Sequence, residues 1–365
     1  MPTARHAAAS SNARLRLPMA APEGARLNIC FLWYEDTMRF LIAGFGSIGR
    51  RHLRNLLALG ERDIVLYRTH RSTLPTDEIE QFPTESSLEA ALGHRPDAVI
   101  ISNPTALHLS VAIPAARQGC HILMEKPISH DLNGLDELRR ALQQGGGQLL
   151  MGFQFRFHPT LRTAAGVIAA GEIGRPLAVR AHWGEYLPNW HPWEDYRQSY
   201  AARPELGGGV ILTLCHPFDY LRMIVGEINS VSAMTASIPE LDLNLDAVAE
   251  ILLGFQNQAI GNVHLDYIQQ PAQHTLQIIG SEGVLNWDNA SGLLSWQRVG
   301  EPQPHQAHPP ADFERNWMFL AQMRHFLEVV RGEAEPLCTL ADGERALQIA
   351  LAALDSARQH REITL

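Results

Sequence analysis

From Met38 to Phe153, short apolar runs alternate with longer amphipathic stretches. Apolar runs at Phe40 to Ala43, 63–67, 97–102, 120–125 and 148–153 read as strands covered on both faces. Between them, 108–119 and 132–144 space their apolar residues as a helix does, and so does the stretch holding Leu53, Leu56, Leu57 and Leu59. Strands and helices alternating at this length predict a doubly wound parallel sheet with right-handed crossovers.

The pattern changes beyond Phe153. Residues 246–256, 258–268 and 272–281 alternate apolar and polar positions, as strands of an antiparallel sheet do. "GGGVILTLCHPFDYLRMIVG" (207–226) reads as a glycine-rich entry to a helix, and helices near 313–331 and 342–359 close the chain. Residues 1–37 are rich in Ala, Arg and Ser and hold no acid before Glu23. That composition suits either an organelle transit peptide or an over-extended start before Met38, and in both cases a poorly ordered extension.

Composition narrows the function classes. With 365 residues, 45% of them hydrophobic, the chain has material for two domains. A net charge of −9 argues against nucleic acid or an anionic membrane as the main partner. No apolar run approaches the ~20 residues of a membrane helix. Cys30, Cys120, Cys215 and Cys338 are scattered, which predicts neither a disulfide framework nor a zinc site and suits a reducing cytoplasm. His305 and His308, in a Pro/His-rich loop, are weak metal candidates that read better as solvated, so no metal is expected.

After the first strand comes Gly44-Phe45-Gly46-Ser47-Ile48-Gly49, followed by a helix. Gly44 suits a tight turn, Gly46 a close approach of backbone to pyrophosphate, and Gly49 close helix–strand packing, so the segment predicts a dinucleotide site. The second strand ends in "LYRTHRS", with Arg68, Thr69 and Arg71 and no acid before Asp77. Cations and a hydroxyl there suit a 2′-phosphate, so NADP is expected in preference to NAD.

"EKP" follows the fourth strand, and its Lys126 is the only lysine of the chain; the other 29 of the 30 Lys and Arg residues are arginine. Taken with the glycine loop, "SNPTALH" (102–108), the segment 207–226, "SEGVL" (281–285) and the closing "LADGERALQIALAALDSARQHREITL", this motif resembles the glucose–fructose oxidoreductase / inositol dehydrogenase / MocA family from about Met38 onward. The resemblance implies an α/β Rossmann domain over 38–153 and an α+β domain over 154–365 built on a large open, mostly antiparallel sheet. It implies a hydride-transferring enzyme acting on a hydroxyl or keto carbon of a sugar, sugar derivative or inositol, and a homodimer or homotetramer joined through that sheet. Ser102, Asn103, Pro104, His108 and Glu125 would join the glycine loop in binding the cofactor. Lys126, His216 and Asp219 would form the catalytic group, with Arg156, Tyr196, Arg197, Thr213 and His216 on the substrate. Thr213 stands where the family usually has Asp.

The lone lysine makes chemical sense under that reading. A hydride leaves a secondary alcohol only as its proton is removed, and lysine can exchange a proton where arginine cannot. Trp183, Tyr186, Trp190, Trp193, Tyr196 and Tyr200 suit either a sugar-binding face or a loop packed on the sheet. Two other readings share these motifs: a non-catalytic dinucleotide-sensing regulator, and a lyase or glycosidase that uses NAD transiently.

Overall fold

The computed structural model describes residues 38–69 and 77–365. The extension 1–37 and Arg71 therefore lie outside the described residues.

Six parallel strands form the first sheet: β1 (Phe40–Ala43), β2 (Ile64–Tyr67), β3 (Thr84–Glu85), β4 (Ala98–Ile101), β5 (His121–Glu125) and β6 (Leu149–Gly152), in the order β3-β2-β1-β4-β5-β6. Helices α1 (Ser47–Ala58), α2 (Leu88–Gly93), α3 (His108–Arg117) and α4 (Leu135–Gly145) connect them. Every residue of β1 and β4 is buried, which is why these strands read as unbroken apolar runs. The strand order reverses between β1 and β4. In doubly wound sheets that reversal opens the crevice in which ligands bind.

The second sheet has nine strands: β7 (Pro176–Gly184), β8 (Ile228–Ala236), β9 (Val248–Phe255), β10 (Ile260–Asp266), β11 (Gln273–Gly280), β12 (Gly283–Asp288), β13 (Leu294–Arg298), β14 (His305–Ala307) and β15 (Ile363–Thr364). Their order is β14-β13-β12-β11-β7-β10-β9-β8-β15, and every pairing is antiparallel except that of β7 with β10. Val179, Ala181, Ile251, Leu253, Val263, Leu265 and Ile278 point to the buried side. On the other side Leu252 and Ile260 remain 58% and 68% exposed.

Helix α5 (Pro159–Ala169) precedes this sheet, and α6 (Val210–Thr213) and α7 (His216–Ile224) lie between β7 and β8. The single helix expected over 207–226 is thus two, broken at Leu214 and Cys215. Helices α8 (Arg315–Val330) and α9 (Leu340–Gln359) return to the first sheet. There Gln322 Nε2 donates to the Met151 carbonyl at 3.2 Å, and the Met151 amide to the Cys338 carbonyl at 2.8 Å.

Aromatic rings and histidines share the core behind the second sheet. His274 stacks on Trp183 with centroids 4.3 Å apart, and His158 meets Phe313 edge-on at 4.8 Å. Burial pushes His158 down to about 4 and His274 to about 3. Both are neutral when folded, whereas the unfolded chain protonates them near the ordinary 6.5. Their contribution is therefore complete above that pH and is lost as pH falls toward the folded values. Below the ordinary value, unfolding free energy should drop by up to ~1.4 kcal/mol per pH unit for each buried histidine. Urea unfolding at stepped pH measures this, and His158→Gln should flatten the slope between 6.5 and about 4.

Candidate active site

The glycine turn follows β1 at the reversal of strand order. Gly44 has φ +90°, and a Cβ there would stand 2.4 Å from the Asn103 amide nitrogen. One at Gly49 would stand 2.2 Å from the Gly44 carbonyl oxygen, whereas one at Gly46 meets nothing within 4 Å. Space is thus kept open in front of Gly46 and removed elsewhere. Helix α1 begins at Ser47 with no side-chain cap and no acid in its first turn. Its first amides are left for an anion, and the cradle fits a dinucleotide pyrophosphate. Phe45 is buried under the Arg50 guanidinium, while Ser47 is exposed and Ile48 half-buried.

Ser102, after β4, donates to the Gly44 carbonyl at 2.9 Å and so closes the crevice wall. Asn103 donates to the Leu107 carbonyl at 3.2 Å, and Pro104 starts the turn that leads into α3. His108 is buried with Nδ1 2.9 Å from the Pro127 carbonyl and Nε2 3.0 Å from that of Asn103. It stitches the loop after β4 to the loop after β5. At the end of β2, Arg68 is buried, and its Nε has no partner among the described residues; Thr69 is exposed. Arg50 and Arg54 both bind Glu78, which holds that carboxylate below its usual range against the opposing effect of burial.

Lys126 stands at the carboxyl end of β5, and the Lys126–Pro127 peptide is cis. Its Nζ donates to the Thr213 carbonyl at 2.8 Å. Thr213 ends α6, so this carbonyl is one that the helix leaves unpaired. Burial pulls the Lys126 ammonium down, but Tyr200, Cys215, Glu125 and Glu185 outweigh it, and the net direction is up. Glu125 is buried with Oε1 2.9 Å from His52 Nε2; burial raises its carboxyl, and His52 and Lys126 bring it below the usual range. Burial pushes the Cys215 thiol up to about 11, against the opposing pull of Lys126.

His216 opens α7 and faces this group. It is wedged between Trp183, stacked at 5.4 Å, and the edges of Phe155 and Phe153 at 5.0 and 5.5 Å. Burial and the Lys126 charge hold it well below its ordinary value, so it is a neutral imidazole, and its Nδ1 has no partner among the described residues.

Other expected site residues are engaged elsewhere. Asp219, three residues along α7, takes both Arg156 Nε (3.0 Å) and Nη2 (2.7 Å), and is 1% exposed. Arg156 also donates to the Leu337 carbonyl at 2.7 Å and reaches Asp342 at 3.0 Å. The pair is a buried tie between segments, in which the Asp219 carboxylate and the Arg156 donors are engaged with each other. Tyr196 donates to the Leu241 carbonyl at 2.8 Å, and Arg197 pairs with Asp195 and Asp242 at 2.9 and 3.1 Å. These two hold a surface loop. Conversely, Glu185 and Cys215 lie near enough to act on the lysine's charge, and His52 holds the neighbouring Glu125, without any of the three having stood out in sequence. Trp183 Nε1 donates to Glu185 at 2.8 Å, and that Trp-x-Glu spacing at the end of a strand was the available signal.

Cradle, switch point and half-buried lysine together define a dinucleotide-binding oxidoreductase, a dehydrogenase or reductase acting on CH–OH groups. The chain belongs to the glucose–fructose oxidoreductase / inositol dehydrogenase / MocA family. Residues 38–153 match the "Oxidoreductase family, NAD-binding Rossmann fold", and residues 161–286 match the "GFO/IDH/MocA C-terminal domain". The 1,5-anhydro-D-fructose reductase of Ensifer adhaerens is 28% identical over 72% of this chain and 77% of its own. The myo-inositol 2-dehydrogenase of Thermotoga maritima is 24% identical over 90% of this chain and 98% of its own. Levoglucosan dehydrogenase, solved with NADH and levoglucosan, shares the fold with a TM-score of 0.80 at 18% identity, over 90% of this chain and 99% of its own.

If Arg156 and Asp219 are a tie, Arg156→Met leaves a buried carboxylate unpaired and should cost about 3–5 kcal/mol of unfolding free energy. The double variant Arg156→Met, Asp219→Leu should recover part of that loss. Urea denaturation of the two variants beside the parent is the measurement, and an unchanged midpoint in the single variant would refute the role.

Proposed function

We propose that this protein interconverts a secondary alcohol and a ketone on a sugar, sugar derivative or inositol, with NADP(H) favoured over NAD(H). Residues 38–153 act as the dinucleotide domain and 154–365 as the substrate and oligomerisation domain. One observation carries the reading: the only lysine of the chain lies at the carboxyl end of β5, its Nζ held by a main-chain carbonyl beside a neutral histidine. A bound nicotinamide supplies the hydride acceptor or donor. The proton is the protein's part. Lys126, protonated at neutral pH, donates to the carbonyl oxygen during reduction and recovers that proton from the alcohol during oxidation. Thr213 and Glu185 orient and charge the amine, while His216 offers a neutral ring to a substrate hydroxyl.

Gly44 to Gly49, Ser102, Asn103 and Glu125 would hold the dinucleotide, and the buried Arg68, whose Nε has no partner among the described residues, beside exposed Thr69 supports a 2′-phosphate. Exposed Leu252, Ile260 and Met234 on the uncovered side of the second sheet support a homodimer or homotetramer joined there. Free, buried Cys120, Cys215 and Cys338 support a cytoplasmic location.

The test is turnover on a panel of sugars, sugar derivatives and inositols with either cofactor. On the substrate so found, Lys126→Arg should keep cofactor binding and lose ~10²–10⁴-fold in turnover, since arginine stays protonated. Oxidation by the parent should accelerate as pH rises through the Lys126 titration, and that dependence should vanish in the variant. Near-normal turnover of Lys126→Arg would move the proton transfer to another group.

Cofactor preference has its own check. Calorimetric titration should give tighter binding of NADP(H) than of NAD(H), and Arg68→Ala should narrow that gap by lowering NADP(H) affinity alone. Equal affinities in parent and variant would refute the preference.

A further inference from the structure

The uncovered side of the nine-stranded sheet carries a second group of convergent side chains. His182 on β7 and His264 on β10 are direct partners across the one parallel pairing, and their rings stack with centroids 4.5 Å apart. Asp266 ends β10 and turns Oδ2 to within 2.9 Å of His264 Nε2. Its Oδ1 accepts the amides of Ile268 and Gln269, both at 2.7 Å, so the carboxylate is fixed and only Oδ2 is left to face the imidazoles. Gln269 brings Oε1 to 2.5 Å from His182 Nε2. The ligand atoms of His182, His264 and Asp266 all lie within 4.8 Å of one another.

We propose that His182, His264 and Asp266 bind a divalent transition-metal ion of the zinc class, with the Gln269 carbonyl or a water completing the shell. Two imidazole nitrogens and one carboxylate oxygen are a donor set that zinc takes with bonds of about 2.0–2.2 Å. A tetrahedral ion would space its ligand atoms roughly 3.3 Å apart. The close His264–Asp266 pair must open slightly and the widest pair close, which small side-chain rotations accomplish. The outer shell is also in place. Glu250 lies 2.6 Å from His264 Nδ1, so with an ion on Nε2 the Nδ1–H donates to that carboxylate, the arrangement that orients metal-bound histidines. His182 and His264 line a groove of about 490 Å³ on this side of the sheet, which leaves room for an ion between their rings and Asp266.

The position sets this cluster apart from the cleft. His182 points to the opposite side of the sheet from its neighbour Trp183, the residue stacked on His216. Bound here, an ion ties β7, β10 and the turn after β10 together. The Glu185 amide also donates to the Asp266 carbonyl at 3.1 Å, so the ion would stiffen the strand end that leads to Glu185. Its role is structural, and it takes no part in proton or hydride transfer.

The full chain, stripped with a chelator and titrated calorimetrically with ZnCl₂, should bind one ion per chain and melt at a higher temperature once loaded. Glu250→Gln should weaken binding by ~10–100-fold, and His182→Ala or His264→Gln by at least as much. His308→Ala, in the surface loop, should bind as the parent does. Co²⁺ in the parent chain should give the intense visible absorption of a tetrahedral ion. Less than one ion per chain, unchanged affinity in the histidine variants, or the weak spectrum of octahedral Co²⁺ each overturns the proposal and leaves the cluster a hydrogen-bonded network. The Co²⁺ spectrum needs no substitution, so it decides the matter even where a variant fails to fold.

Discussion

The cleft depends on one buried guanidinium. Arg156 follows the first sheet, and its donors are spent on Asp219 of α7, the Leu337 carbonyl before α9, and Asp342 in the first turn of α9. Three segments far apart in sequence meet on this group. Helix α7 starts at His216, so the place of that imidazole opposite Lys126 follows from where Arg156 holds the helix. Burying such a cation is costly unless its pairing is complete, and arginine cannot escape the cost by giving up its proton. Arg222 extends the tie by bonding Glu227 and reaching Asp342. The side wall of the cleft is therefore fixed by charge, whereas its floor is fixed by glycine backbone.

That floor was legible in sequence. Strands β1, β2, β4, β5 and β6 lie within about a residue of the apolar runs, because central strands of a parallel sheet are buried on both faces and leave an unmixed signal. The glycine turn was equally plain, since a Cβ is sterically excluded at Gly44 and Gly49. In the second half, strands β9, β10 and β11 showed period-two alternation, whereas β7 and β8 went unread. β7 places Val179, Ala181 and Trp183 inward with Arg180 and His182 outward, but its aromatic end reads as the start of a loop. β8 is too polar to announce itself, as seven of its nine residues are not fully buried.

The candidate site was partly legible for related reasons. Lys126 stood out as the only residue of its kind, and His216 by its place in a motif. What could not be read were groups whose chemistry comes from partners distant in the chain. The ion pair of Asp219 with Arg156, and the Thr213 carbonyl that the break after α6 frees for Lys126, are contacts that no local spacing announces. His182 and His264 belong to different strands, and only the parallel pairing of β7 with β10 brings their rings together.

Every cation but one being arginine, the chain contains a single side-chain amine. Isotope-labelled lysine would therefore introduce one spectroscopic reporter, and that reporter would stand in the cleft. Its resonance needs no assignment, because no other residue can produce it. Few enzymes allow the charge state of one group to be followed in the intact molecule without altering a residue, and here the composition of the chain makes it a direct observation.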